Sequence, residues 1–452
     1  MRPTSVLSVL LLVACGNTGP LPSAAPTWHQ DVAPIAAQNC ATCHNPTGIA
    51  GFLDLGDYDE AAAYAASIQQ KVEALEMPPF LAADTPECPN EWGFLHDRRL
   101  SDSDRNTLSA WVEAGTPEGD PHTAAALIAP DVQHLTRVDD TLAPDAGFTT
   151  QPSSVLTDEF QCLIFDPKLT ETRWVEAFEV RPDNIKVMHH AVINVATRDE
   201  AAALDAADGT VDGTYPCFGG AEVSGVFMGG WVPGSGPTTY PTGSGLALSP
   251  DQVMVSQMHY HNISTAEYDA TTLDIQWALT EPDVAIYMEL IGNASTEAEG
   301  LLPGPNDAAG TEFRIPAGVA GHTETSRHDL GIPEGQSYSP FIVAPHMHLI
   351  GVSLRAWIEH ADGSLGPCLV HVPAWDFDWQ LFYFYDAEID NAPVVQSGDS
   401  LVIECTYDNS LKNGALVSAL NQQGLSEPID VRLGQGSLDE MCLVAVGAIP
   451  RP

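Results

Sequence analysis

The sequence predicts a multidomain chain in which a small all-α unit precedes two all-β sandwich domains. Its 452 residues exceed one ordinary domain and suggest about three at roughly 150 residues each. Apolar residues fall at helical spacing only within the first 120 or so positions, where they mark amphipathic helices. Beyond residue 150 the texture changes to short β-rich runs broken by Gly, Pro, Asn and Asp, the pattern of sandwiches and barrels.

The chain opens on Arg2, an apolar stretch over residues 6–13, and the motif Leu12-Val13-Ala14-Cys15. A positive charge followed by a short apolar core reads as an export signal. The motif resembles the lipobox of bacterial lipoproteins, which implies a signal peptide over residues 1–15 and a lipid on Cys15; an ordinary secretory signal is the alternative. Residues 16–27 are rich in Gly, Pro, Ser and Ala, as in a flexible tether. The expected location is the periplasm or cell envelope, held to a membrane by the lipid alone, since no later apolar run nears the ~20 residues of a span. Sixty-one acidic residues against seventeen basic ones give a formal charge of -44, which repels phosphate backbones and excludes a nucleic-acid partner.

Residues 28–121 form the expected helical unit. Ile68, Val72 and Leu75 fall on one helical face, and Leu108, Trp111 and Val112 on another. Ser101 with Asp104 reads as a capping box and Gly115 as the stop of the last helix. Within the unit, Cys40-Ala41-Thr42-Cys43-His44 is the C-x-x-C-H pattern of c-type haem attachment, in which both thiols bond the haem and the histidine becomes an axial ligand. Half a zinc site or a redox dithiol would use the same two cysteines. Met77, ahead of Pro78 and Pro79, is the candidate second axial ligand, with His96 as its rival; a thioether raises the iron potential and suits an electron carrier. The unit resembles a small class I cytochrome c. With Cys15, Cys40 and Cys43 set aside, six of the nine cysteines remain, and six permit 15 connectivities.

A Pro- and Asp-rich linker is expected over residues 122–150. A first sandwich then spans 151–280 and a second 281–452, with strands among residues 186–195, 253–262, 341–351 and 401–407. Six of the fifteen histidines stand in three clusters on such runs: His189-His190, His259-Tyr260-His261 and His346-Met347-His348. Strand residues two apart share a face, so each H-x-H offers two imidazoles to one site, with Gln257 on the face of His259 and His261. His189 and His190 diverge in a regular strand and reach one metal only through a bulge. Imidazoles suit copper or zinc, and a methionine among them favours copper.

Five motifs stand in order: Met188-His189-His190-Ala191, Gln257-Met258-His259-Tyr260-His261-Asn262, His346-Met347-His348-Leu349, the run from Ser397-Gly398-Asp399 to Cys405-Thr406-Tyr407, and Asp439-Glu440-Met441-Cys442. Together they resemble the copper type II, ascorbate-dependent monooxygenases. The resemblance implies two jelly-roll sandwiches with one copper each. His189, His190 and His259 would hold the electron-transfer copper, and His346, His348 and Met441 the oxygen-binding copper. Gln257 would lie between the sites, His261 would be structural, and a disulfide would join Cys405 to Cys442. The reaction implied is hydroxylation of a C–H bond with O2, with electrons relayed by the haem unit from ascorbate or another external reductant. In the peptidylglycine branch an arginine, an asparagine and a tyrosine hold the substrate carboxylate; here those places hold Ala344, Leu443 and Ala445. A small neutral or cationic substrate with an apolar body is therefore expected.

Two readings from other classes compete with this one. A copper and haem electron-transfer lipoprotein would need no oxygen-binding copper, and the second complete ligand set speaks against it. A hydrolytic zinc site would want a spacing such as H-E-x-x-H, which no cluster has.

Overall fold

The computed structural model describes residues 25–128, 133–153, 158–294, 298–305, 307, 310–436 and 438–451. Cys15 and the signal and lipobox expectations lie outside them, as do nine of the twelve tether residues.

The helical unit runs from a π-helical turn at Trp28–Val32 through helices Ala33–Asn39, Tyr58–Ala63, Ala65–Glu73 and Asp102–Glu113. Trp28, Val72, Leu108 and Trp111 meet in one buried cluster. Asp57 and Ser101 cap the second and last helices by accepting from Glu60 N–H and Asp104 N–H, satisfying donors that a helix start leaves free. Gly115 takes a left-handed φ of 81° just past the last helix, the expected C-terminal stop. Leu75 departs from the periodic reading. The helix ends at Glu73, Leu75 turns left-handed at φ 59° and its side chain is exposed.

Residues 79–98 leave this unit altogether. Phe80 and Ala82 enter the core of the second sandwich, and Cys88 is bonded to Cys368. Ala83 N–H donates to His371 O at 2.9 Å and Leu95 N–H to Phe384 O at 2.8 Å. The expected unit over 28–121 is thus a helical body with a strap that docks elsewhere and returns at Leu100, which is buried in the helical core.

The first sandwich packs a sheet of strands Asp140–Leu142, Thr272–Trp277, Arg173–Arg181, Ser244–Leu248 and Val284–Ala285 against a five-stranded sheet. That second sheet runs in the order Thr214–Pro216, Asp158–Phe165, Gln252–His261, Met188–Thr197, Val226–Trp231. Met188, Ile193, Met254 and Tyr260 point into the core between them. The alternate residues face outward, under the helix Arg198–Ala207 at one end and toward the histidines at the other. Period-two side-chain alternation is what splits the strand Gln252–His261 in this way.

The second sandwich packs Tyr287–Asn293, Cys442–Pro450, Ser337–His346 and Tyr383–Phe384 against Ala320–Asp329, Ser400–Asp408, Gly351–Glu359 and Leu365–Val372. The expected linker over 122–150 carries the pairing strands Asp140–Leu142 and Phe148–Thr149. The passage between sandwiches falls after Ala285, which still pairs with Gly245. Met288, Phe341, Ile342 and Ile449 of the second sandwich lie in the core cluster of the first, so the two share apolar packing. The pairs Cys88–Cys368, Cys162–Cys217 and Cys405–Cys442 are disulfides, which place the chain in an oxidising compartment. Among the described residues no helix is long and apolar enough to cross a membrane.

Candidate functional site

The strand Met188–Thr197 pairs with Gln252–His261 residue by residue until His190 opposes His259; the next pair is Met188 with Tyr260. His189 is the extra residue of this bulge. The irregularity turns its ring to the side on which His190 and His259 already lie, as the adjacent histidines require. The three Nδ1 atoms form a triangle with sides of 3.1, 3.2 and 3.4 Å. Tetrahedral nitrogen ligands at about 2.0 Å from an ion lie about 3.3 Å apart, so the triangle matches one face of such a site. All three rings are buried. Burial first, and then the neighbouring imidazoles, hold the His189 and His190 pKa values well below the ordinary one, keeping the rings neutral as metal ligands must be.

A carboxylate that sequence reasoning missed stands behind this set. Asp158 opens the strand that pairs with Gln252–His261, directly opposite His261. Its Oδ1 lies 3.0 Å from His259 Nε2 and 2.6 Å from His261 Nδ1. Burial raises the Asp158 carboxyl, but the close His259 ring and the hydrogen bond with His261 outweigh it and hold it below the usual range. A carboxylate on the outer nitrogen of a ligating histidine fixes its orientation. His261 lies beside the set, its ring centroid 4.1 Å from that of His189, and its ligand atom falls close enough to those of Asp158 and His259 for the three to hold a metal ion as well.

The second set lies at the end of Ser337–His346 and the start of Cys442–Pro450, where His346 opposes Leu443. Met347 points into the core and is fully buried, while His346 and His348 turn the other way, the alternation that an H-x-H pattern predicts. His348 Nδ1 lies 3.0 Å from Asp439 O. A carbonyl only accepts, so Nδ1 carries the proton and Nε2 keeps a free lone pair. Burial, then His348, take the His346 pKa down to about 3. Glu440 is wholly buried and accepts His348 N–H at 2.8 Å, Ile350 N–H at 2.9 Å and Met441 N–H at 3.2 Å. It ties the two ligand-bearing segments together, and burial pushes its carboxyl up to about 8 against those donors. The Cys405–Cys442 disulfide and the Tyr407 hydroxyl, which donates to Met441 O at 2.9 Å, pin the methionine.

His190, Gln257, His346, His348 and Met441 all line one cavity of about 890 Å³. Gln257 is buried there, its Nε2 donating to Cys217 O at 2.9 Å. The cavity wall carries Phe227, Met288, Leu290 and Leu443 and the carboxylates of Asp158, Glu222 and Glu289, with no Lys or Arg among its described lining residues. Ala344 and Ala445 line it too.

Outside the lining of this cavity, Cys40, Cys43 and His44 share one turn, with Cys43 N–H and His44 N–H both donating to Cys40 O at 3.1 and 3.0 Å. Both thiols are free in a chain whose other described cysteines are all paired. Met77 is half-buried just past Ala65–Glu73, hydrogen-bonded through its N–H to Lys71 O and not to this turn; His96 is exposed.

No known family model matches the chain, and no curated protein matches it. Two solved structures among its likenesses are the major capsid protein P2 of bacteriophage PM2 and the cowpea mosaic virus empty particle. The first is 8% identical with a TM-score of 0.27, covering 66% of this chain and 98% of that one. The second is 10% identical with a TM-score of 0.24, covering 74% and 95%. Scores this low carry no conclusion about fold or function.

Proposed function

We propose that this chain is a copper-dependent monooxygenase that hydroxylates a C–H bond of a small organic substrate with O2, its electrons relayed by haem c bound to the helical unit. The observation that carries the proposal is the convergence of His190 from one ligand set and His346, His348 and Met441 from the other on a single cavity. On this reading the sandwiches are jelly rolls and the helical unit a class I cytochrome c, with Cys15 as the lipid anchor.

The residues fit the groups assigned to them. Three buried neutral imidazoles at ligand spacing suit one copper, and two imidazoles with a thioether suit a second that cycles through the cuprous state. Copper bound at these sets would supply one-electron redox chemistry and activation of oxygen. The free Cys40 and Cys43 beside His44 suit thioether attachment of haem, and His44 Nδ1 is buried with no hydrogen-bond partner in the described structure. Met77 would complete the iron's ligands from outside that turn. Apolar walls would exclude water and seat an apolar substrate body. A wall with three carboxylates and no cationic side chain leaves a substrate carboxylate without the charge-assisted pairing it needs, so the substrate is neutral or cationic.

Copper titration, electron paramagnetic resonance and oxygen uptake with a panel of small C–H substrates in the presence of an external reductant such as ascorbate test the proposal. Two type II coppers per chain, haem bands and substrate-dependent uptake are expected. Met441→Ala should keep haem and the three-histidine copper and lose uptake. Wild-type uptake by that variant overturns the assignment, and two bound coppers with no uptake on any substrate point to electron transfer alone.

A further inference from the structure

We infer that Gln380 is the positioning residue of His346, and that it makes Nε2 the metal-binding atom of that ring. The inference rests on the reading of His346 as a ligand. Gln380 belongs to residues 375–382, a segment of the second sandwich that passes between the two ligand sets. Trp375 Nε1–H donates to His348 O at 3.1 Å, Phe377 sets its ring edge-on to His348, and His189 of the other set hydrogen-bonds the Asp378 backbone. The segment is therefore held from both sides, and Gln380 is presented on a fixed frame.

The argument for the nitrogen runs through donors and acceptors. Gln380 Nε2 lies 3.1 Å from Phe377 O. A carbonyl accepts only, so the amide must turn its NH2 there and its Oε1 the other way. That Oε1 lies 2.7 Å from His346 Nδ1, and an amide oxygen also accepts only, so Nδ1 carries the ring's proton. Nε2 keeps its lone pair, the same atom that the Asp439 carbonyl leaves free on His348. Without the Gln380 oxygen the opposite tautomer opens, with a proton on the atom that should bind metal. Partners of this kind on ligating histidines are typically worth 10–100-fold in metal affinity.

The test compares Gln380→Leu, of similar size with no acceptor, and Gln380→Glu, which keeps an oxygen at the same reach. Copper affinity is measured by competition titration, and each copper is followed by its own paramagnetic resonance signal. Gln380→Leu should weaken the copper at His346, His348 and Met441 by about 10–100-fold and change its signal, leaving the three-histidine copper as in wild type. Gln380→Glu should restore affinity and signal. Wild-type binding by Gln380→Leu, equal loss at both coppers, or no rescue by Gln380→Glu each overturns the inference. Wild-type protein that takes up only the three-histidine copper overturns instead the ligand reading beneath it.

Discussion

At the scale of single residues, burial is what prepares the imidazoles. A proton competes with a metal for the same lone pair, and it competes only below the ring's pKa. An exposed histidine near 6.5 is almost wholly protonated at about pH 5 and loses about 30-fold in metal affinity between pH 7 and 5. His346, taken down to about 3 by burial and by His348, stays neutral across that window, and the His348 value is lowered by burial too. Copper affinity at this set should therefore fall by well under the about 30-fold of an exposed histidine from pH 7 to 5, as read by competition titration. A tenfold or larger fall would show these rings to be wet in solution. The stability of the fold without metal falls with pH in the same direction. His346 and His348, whose folded pKa values are depressed, cost stability as pH falls below about 6.5, since the unfolded chain then binds protons that the fold excludes.

At the scale of elements, the sites are built by one bulge and one braced turn, and they differ in how far the sequence reveals them. Adjacent His189 and His190 announce an irregular strand, because no regular one turns both rings to one side; the skipped residue opposite His259 and Tyr260 is that irregularity. The Met347 alternation is legible for the same reason. Asp158 is not, because nothing in its surroundings marks it until strand pairing sets it opposite His261, 103 residues away. Gln380 is hidden likewise, since it meets His346 only by the course of an irregular segment. Glu440 stands in a motif, yet its work of gathering three backbone N–H groups depends on a turn whose form the motif does not state. Glu440→Gln keeps one acceptor oxygen and replaces the other with an NH2 facing N–H donors. Leaving buried donors unsatisfied costs about 1–3 kcal/mol. Denaturant unfolding should show a loss of that size, with copper at His348 and Met441 weakened and the three-histidine copper unchanged. A variant as stable as wild type with both coppers intact would remove Glu440 from this bracing role.

At the scale of the whole molecule, the helical body is joined to the sandwiches by more than its linker. Residues 79–98 carry Phe80 and Phe94 onto Tyr383 and Tyr385, with ring centroids 5.2–5.3 Å apart. The half-buried Arg98 donates to Pro233 O of the first sandwich at 2.7 Å. Composition alone does not reveal such a strap, because its apolar residues read equally well as part of the helical core. Its covalent tie is Cys88–Cys368, with a sequence separation of 280. Removing a native disulfide typically costs about 2–5 kcal/mol, most where it closes a long loop. Cys88→Ala with Cys368→Ala should therefore lower the thermal midpoint by several degrees while leaving copper uptake at both proposed sites unchanged, since neither cysteine adjoins a proposed ligand. Because the aromatic contacts remain, the strap should loosen rather than leave, and limited proteolysis should cut first within residues 79–98. If haem-to-copper electron transfer depends on this docking, stopped-flow reduction of the coppers through the haem should slow in the double variant, with direct reduction by a small donor unaltered. Unchanged proteolysis and unchanged transfer would mean that the aromatic contacts hold the strap without the disulfide.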